Sequence, residues 1–167
     1  MTNREIQATW TYHDSTKHSP WSVRNHPHFL DWQNQPLPFK IYPDLEPLKL
    51  PSGVEQTGVA ALSAIAQTVR RDSAPRLADL ARILYFSAGI TKSRAYPGGE
   101  IYFRAAACTG ALYEIELYVV CGDLPDLEAG VYHFGPADVA LRRLRKGDFR
   151  ANLVRLAAEE PAVAVNQ

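Results

Sequence analysis

Seven prolines fall between residues 20 and 51: Pro20, Pro27, Pro36, Pro38, Pro43, Pro47 and Pro51. Each removes a backbone donor and restricts φ, so this span holds neither a long helix nor a central strand. Residues 1–56 also carry all three tryptophans (Trp10, Trp21, Trp32) and four of the five histidines. A fully disordered tail rarely holds so many aromatics. The segment therefore reads as an extended arm behind a short helix over 6–16, with Trp21, Phe29, Trp32, Phe39 and Tyr42 anchoring it to a surface, its own domain's or a partner subunit's.

The remainder, 57–167, has ordinary globular periodicity. Over 57–71, Val59, Leu62, Ile65, Ala66 and Val69 share one stripe of a 3.6-residue repeat, which predicts a core-packing helix. A second helix is expected after Ser73 as N-cap, with Pro75 in its first turn. Its buried face would be Leu77, Leu80, Ala81, Leu84 and Ala88, and Gly89 would end it in a left-handed conformation. A loop at Pro97-Gly98-Gly99 and a short segment 101–103 follow. Residues 115–121 give the strongest strand signal, apolar on both faces as in a central strand. Residues 131–134 and 139–144, joined by a turn at 135–138, predict a β-hairpin. Asp148 would cap a helix reaching Ala158, with Phe149, Leu153 and Leu156 as its apolar face. After Pro161 the run Ala-Val-Ala-Val reads as the start of a strand.

Composition excludes several functional classes. The 167 residues include 18 basic and 18 acidic side chains, so no broad field favours nucleic acid or an anionic membrane. No apolar run is long enough to span a bilayer, and the N-terminus lacks the apolar core of a secretion signal, which points to the cytoplasm. Cys108 and Cys121 are too few for a disulfide scaffold and are not a CxxC pair. Cys121 reads as a small apolar residue; Cys108 reads as more exposed, with a reactive thiol the less favoured alternative. His13, His18, His26 and His28 match no common zinc spacing, so no metal site is expected. The basic residues Arg70, Arg71, Arg142, Arg143, Arg145 and Lys146 are interleaved with Asp72 and Asp148 and read as a solvated face. Walker, Rossmann and GxSxG patterns are absent.

The most informative stretch is 104–120, Arg-Ala-Ala-Ala-Cys-Thr-Gly-Ala-Leu-Tyr-Glu-Ile-Glu-Leu-Tyr-Val-Val. Small side chains at a strand entrance let backbone approach something flat or closely packed. An arginine beside them can hold an anion or bridge to loop carbonyls, and the residues alone leave both roles for Arg104 open.

This stretch resembles the R-x-x-P-S-A-G-A-L-Y-P-x-E-x-Y-V-V signature of SagB-type dehydrogenases, a branch of the FMN-dependent nitroreductase family. Leu-Ala-Asp-Leu-Ala-Arg-Ile-Leu-Tyr-Phe-Ser-Ala-Gly-Ile-Thr at 77–91 is similar to the helix and turn before that signature. Gly-Val-Tyr-His-Phe at 130–134, Leu141 and Gly-Asp-Phe-Arg at 147–150 are similar to the hairpin and helix after it. In the arm, Tyr12-His13, residues 16–18, Leu30-Asp31-Trp32, 34–36 and 38–40 resemble the opening of such proteins. The resemblance implies an α+β nitroreductase-like fold, a central mixed or antiparallel sheet with packed helices, incomplete at the C-terminus. It also implies a homodimer binding FMN at the subunit interface, with hydride transfer through flavin N5. No single catalytic side chain is then required, and substrates would be small molecules or azoline rings of modified peptides. Carried over by position, Arg104 would contact the flavin or its ribityl-phosphate, and Cys108, Thr109 and Gly110 would line the loop against the isoalloxazine ring.

Where the signature has Pro-Ser-Ala-Gly, this chain has Ala107, Cys108, Thr109 and Gly110, and its second proline is Glu114. The family's N-terminal phosphate motif has only loose echoes, in Arg-Arg-Asp-Ser at 70–73 and in Lys17-His18. The family's domain also continues where this sequence ends at Gln167. The resulting expectation is an FMN-dependent oxidoreductase, or the N-terminal part of one. The alternative is a truncated or degenerate non-catalytic relative acting as an interaction module or without independent function.

Overall fold

Tyr132, Phe134 and Leu141 carry the apolar alternation of the expected hairpin, and all three are buried to within 3% of full burial. In the computed structural model, which describes residues 5–27, 29, 31–34, 37–51, 53, 58–66 and 73–164, they form the floor of the core. The chain divides into two compact units, Met1–Pro36 and Leu37–Gln167.

The first unit holds α1, Ile6–Thr16, and α2, Pro20–Asn25. Every described side chain of α1 is exposed. The expected arm has a helical turn at α2 because Ser19 and Ser22 cap it reciprocally: Ser22 N–H donates to Ser19 Oγ at 3.0 Å and Ser19 N–H to Ser22 Oγ at 2.8 Å. Pro20 sits at its first position, where a missing N–H costs nothing. Trp21 and Phe29 remain 67% and 82% exposed, so neither is an anchor within this unit. His28, Leu30, Gln35 and Pro36 lie outside the described residues, as do the side chain of Trp32 and, further on, Val69, Arg70, Arg71, Asp72 and Val165.

The second unit begins inside the proline-rich span. Residues 47–49 form β1 (Pro47–Lys49), an edge strand, where a proline is tolerated. After α3 (Ala61–Ala66) come α4 (Leu77–Ala88), β2 (Ile90–Tyr96), β3 (Gly99–Arg104) and β4 (Tyr118–Cys121). The unit closes with β5 (Gly130–Gly135), β6 (Ala140–Lys146), α5 (Arg150–Leu156) and α6 (Pro161–Ala164). The main sheet is antiparallel in the order β1-β6-β5-β4, and β2 pairs with β3 in a separate hairpin. Its register sets Leu48 opposite Leu141, Leu141 opposite Phe134, and Tyr132 opposite both Arg143 and Val119. Leu80, Ala81 and Leu84 of α4 pack on the same cluster with Leu50, Cys121 and Leu127. Each fully buried Leu or Phe contributes about 1.5–3 kcal/mol. Helices beside an antiparallel sheet make this an α+β fold, as expected.

Several local expectations are corrected. Helix α4 starts at Leu77, where Arg76 N–H donates to Asp79 Oδ2 at 3.1 Å; Ser73 lies upstream and does not cap it. Gly89 is extended (φ −65°, ψ 156°) because the chain runs straight into β2. A Cβ there would meet the Tyr85 carbonyl oxygen at 2.6 Å, so glycine serves close approach rather than handedness. The stripe of α3 is not core: Leu62 and Ile65 are 81% and 80% exposed. Periodicity names the face that seeks cover but not what covers it. In α5 the same holds for Leu153 and Leu156, at 44% and 82%. The expected central strand is an edge strand among the described residues and starts only at Tyr118, since the Ile115 carbonyl accepts from the Arg104 side chain. Residues 161–164 are helical instead of strand-like, with the Glu160 carbonyl accepting from Val163 and Ala164 N–H.

Candidate functional site

Strand β3 delivers Arg104 into the interior, where its side chain is 3% exposed. Nη1 donates to the Ile115 carbonyl at 3.1 Å, and Nη2 to the Pro38 carbonyl at 3.0 Å and to Glu116 Oε1 at 3.2 Å. The guanidinium lies 5.4 Å from the centroid of the Tyr113 ring. Glu116 completes the knot. Its Oε1 also accepts from Lys40 N–H at 3.2 Å, and its Oε2 pairs with His133 Nε2 at 2.8 Å. His133 is 1% exposed and its Nδ1 has no partner among the described residues. A carboxylate only accepts, so the Glu116 contact assigns the hydrogen to Nε2.

The rings of Tyr42 and Tyr118 flank His133, with centroids 5.0 and 5.2 Å away, and their hydroxyls meet at 3.2 Å. The hydrogen bond with Tyr118, helped by Lys40, holds the Tyr42 phenol below the usual tyrosine value, and the same bond pushes Tyr118 up. Thus Arg104 joins β3, the entrance to β1, the loop before β4 and, through Glu116, β5.

Between the ends of this knot the backbone leaves regular structure. Gly110, Ala111 and Tyr113 have φ of 67°, 54° and 52°. The left-handed region suits glycine, but costs Ala or Tyr roughly 1–2 kcal/mol each. Cys108 lies at the centre of this turn. Its Sγ accepts from Tyr113 N–H at 3.2 Å and donates to Glu114 Oε2 at 3.1 Å. Glu114 is held below the ordinary carboxylate range by a hydrogen bond from its own backbone and then by this thiol.

Two hollows share Arg104, Ala107, Cys108 and Tyr113 as walls. The larger, about 600 Å³, opens on the side of Ile101 and Phe103 and is also lined by Gly110. The smaller, about 80 Å³, lies toward Ser87 and Ala88 at the end of α4. A volume of about 600 Å³ is within the range of small-molecule and cofactor sites.

Of the four residues singled out from sequence, Arg104, Cys108 and Gly110 come together around the larger hollow, while Thr109 lies on the exposed turn outside that lining. Sequence reasoning missed Glu116 as the partner of Arg104 and His133 as the partner of Glu116. A signal existed: each is a lone polar residue inside an otherwise apolar strand-like run. Elsewhere, Arg142 pairs with Asp138 and Arg143 with Glu128. Among the described residues no three His, Cys, Asp or Glu side chains stand where they could hold a metal ion, and no helix is long and apolar enough to cross a membrane.

No family model and no curated protein matches the chain. Among solved structures it is similar to a "putative nitroreductase" from Anabaena variabilis, with a TM-score of 0.67 and 28% identity over 93% of this chain. The fold is nitroreductase-like. The match covers 29% of that protein's length, so this chain corresponds to a minor part of it.

Proposed function

We propose that this chain forms part of an FMN-dependent oxidoreductase of SagB-type nitroreductase character, with the larger hollow beside Arg104 receiving the flavin. The observation that carries the reading is the hollow of about 600 Å³ walled by the 104–113 turn on a nitroreductase-like fold. The residues fit the ring of the cofactor. Ala107 and Gly110 offer little side-chain bulk, and a Cβ added at Gly110 would meet only Leu112, at 3.6 Å. Bound FMN would supply hydride exchange at N5, the protein positioning and tuning it.

The roles of this chain's own residues follow from their geometry. Cys108, Thr109 and Gly110 present the turn to the ring, largely through backbone groups. Arg104 sets the position of that turn, since its guanidinium is committed to the Ile115 and Pro38 carbonyls and to Glu116; flavin contact is confined to its exposed margin. Phe103 and Tyr113 line the sides of the hollow. No side chain is assigned a proton transfer. The wider reading includes a cytoplasmic homodimer and a small-molecule or modified-peptide azoline substrate; it is supported by the resemblance of 104–120 and of 130–150.

The test is a titration of the purified chain with FMN, followed by flavin absorbance and fluorescence quenching. Saturable binding is expected, weakened about tenfold or more by Gly110→Val, whose β-branched side chain resists φ of 67°. A chain that is colourless and binds no added FMN overturns this reading and leaves the interaction-module alternative.

A further inference from the structure

A third cavity, about 500 Å³, lies away from the 104–113 turn on the core face of the main sheet. The pairing of Leu48 with Leu141 and of Tyr132 with Arg143 puts β1, β6 and β5 side by side along it. Its floor is Leu127, Tyr132 and Leu141, each at most 5% exposed. The Tyr132 hydroxyl is spent on the Glu128 carbonyl at 2.8 Å, so the floor has no free polar group there. Leu45 and Leu48 form one wall, and Leu48 stays 40% exposed at the lip. The opposite wall is a tight turn in which Leu124 and Leu127 exchange backbone hydrogen bonds at 2.8 and 3.3 Å, leaving Asp126 at its apex.

The charges at the mouth are unbalanced. Among the described residues, Arg143 is the only cation in the lining, and it is paired with Glu128. That ion pair, with help from Lys146, holds Glu128 below the ordinary carboxylate range. Glu46 and Asp126 are exposed on the rim with no partner among the described residues. An apolar floor under two unpaired carboxylates is complementary to an aliphatic group carrying a terminal cation, whose stem lies on the leucines while its head reaches the rim.

The span of the groove narrows the occupant. Three neighbouring strands cover two inter-strand spacings, about 10 Å, which is the length of roughly three extended residues. We propose that this groove docks a short extended peptide segment in which a lysine or arginine is flanked by aliphatic side chains. The inference is independent of the flavin reading, because none of its residues borders the hollow beside Arg104.

The test titrates the full 167-residue chain with acetyl-Leu-Lys-Leu-amide, acetyl-Leu-Glu-Leu-amide and n-butylammonium, following the methyl resonances of Leu127 and Leu141. The lysine peptide is expected to shift both methyls and to bind at least about tenfold more tightly than the glutamate peptide. Glu46→Gln with Asp126→Asn should bring the two peptides within about twofold, as should 1 M salt, where the screening length falls to about 3 Å. Both substitutions are at exposed positions, and Leu48→Asp at the lip provides a second variant that should abolish binding of either peptide. Unshifted Leu127 and Leu141 methyls, equal binding of both peptides to the native chain, or n-butylammonium binding as tightly as the lysine peptide would each overturn the proposal.

Discussion

The two ends of the 104–120 stretch and its middle are built on opposite terms. At the ends, Arg104 is buried, Glu116 is half-buried, and both are held by contacts reaching Pro38, Lys40, Ile115 and His133. In the middle, Thr109 and Gly110 are exposed, and the turn rests on local contacts of the Cys108 thiol and on residues of positive φ. One continuous signature thus divides into a rigid frame and an open rim. The arginine, for which the residues alone leave a ligand role and a carbonyl-bridging role open, is tied in the fold to two backbone carbonyls and Glu116. A short rim on a deep frame is how a site keeps its shape while its lining stays free to touch something else.

The largest expected effect tests the frame. Glu116→Ala leaves Arg104 buried without its carboxylate, and losing one partner of a buried pair costs about 3–5 kcal/mol. Urea unfolding should show this as a lowered midpoint, with Glu116→Gln falling between the variant and the native chain. A change below about 1 kcal/mol for Glu116→Ala would erase the distinction between frame and rim.

Next comes the seam between α4 and the rim. Gly89 accepts from Ala105 N–H at 2.9 Å, and its Cα lies against Tyr85. Gly89→Ala should cost about 1–3 kcal/mol through the forced shift of that backbone, measured by the same unfolding curve.

The rim itself should tolerate change. Cys108→Ala is expected to alter stability by less than about 1 kcal/mol, since only local, weak thiol hydrogen bonds at a half-buried position are lost. Its thiol should react with a disulfide reagent at least about tenfold faster than that of Cys121, whose buried setting suppresses the thiolate. Burial pushes the Cys121 thiol up. Equal rates for the two thiols would place Cys108 within the frame.

The smallest effect contrasts the buried ion pair with an exposed one. Arg150 side-chain and backbone hydrogen bonds pull Asp148 from the ordinary 3.8 to about 2. Its folded value is below the unfolded one, so the stabilisation is present above pH 3.8 and is lost as pH falls through about 2. A carboxyl carbon titration by NMR should find this midpoint, and Arg150→Ala should return it toward 3.8.

Elements whose signal is local were legible in the residues. The Leu80, Ala81, Leu84 and Ala88 stripe of α4 and the hairpin of β5 and β6 follow from periodicities and turn residues within a few positions. The same reasoning failed where a distant group intervened. Residues 115–117 have strand composition, yet the Ile115 carbonyl is taken by Arg104. The strand β2 was hidden because Thr91, Lys92, Ser93 and Arg94 lack apolar alternation and are stabilised by pairing with β3.

By itself the sequence determined an α+β chain with a small-residue turn entering a strand and an arginine beside it. Only the tertiary structure decided what that arginine does. Its partners lie 11, 12 and 66 residues away, and His133 joins from 17 residues beyond Glu116. No local pattern encodes such separations. A buried charge must find its counterpart wherever the fold brings one within reach, since leaving water unpaired costs more than any local preference supplies.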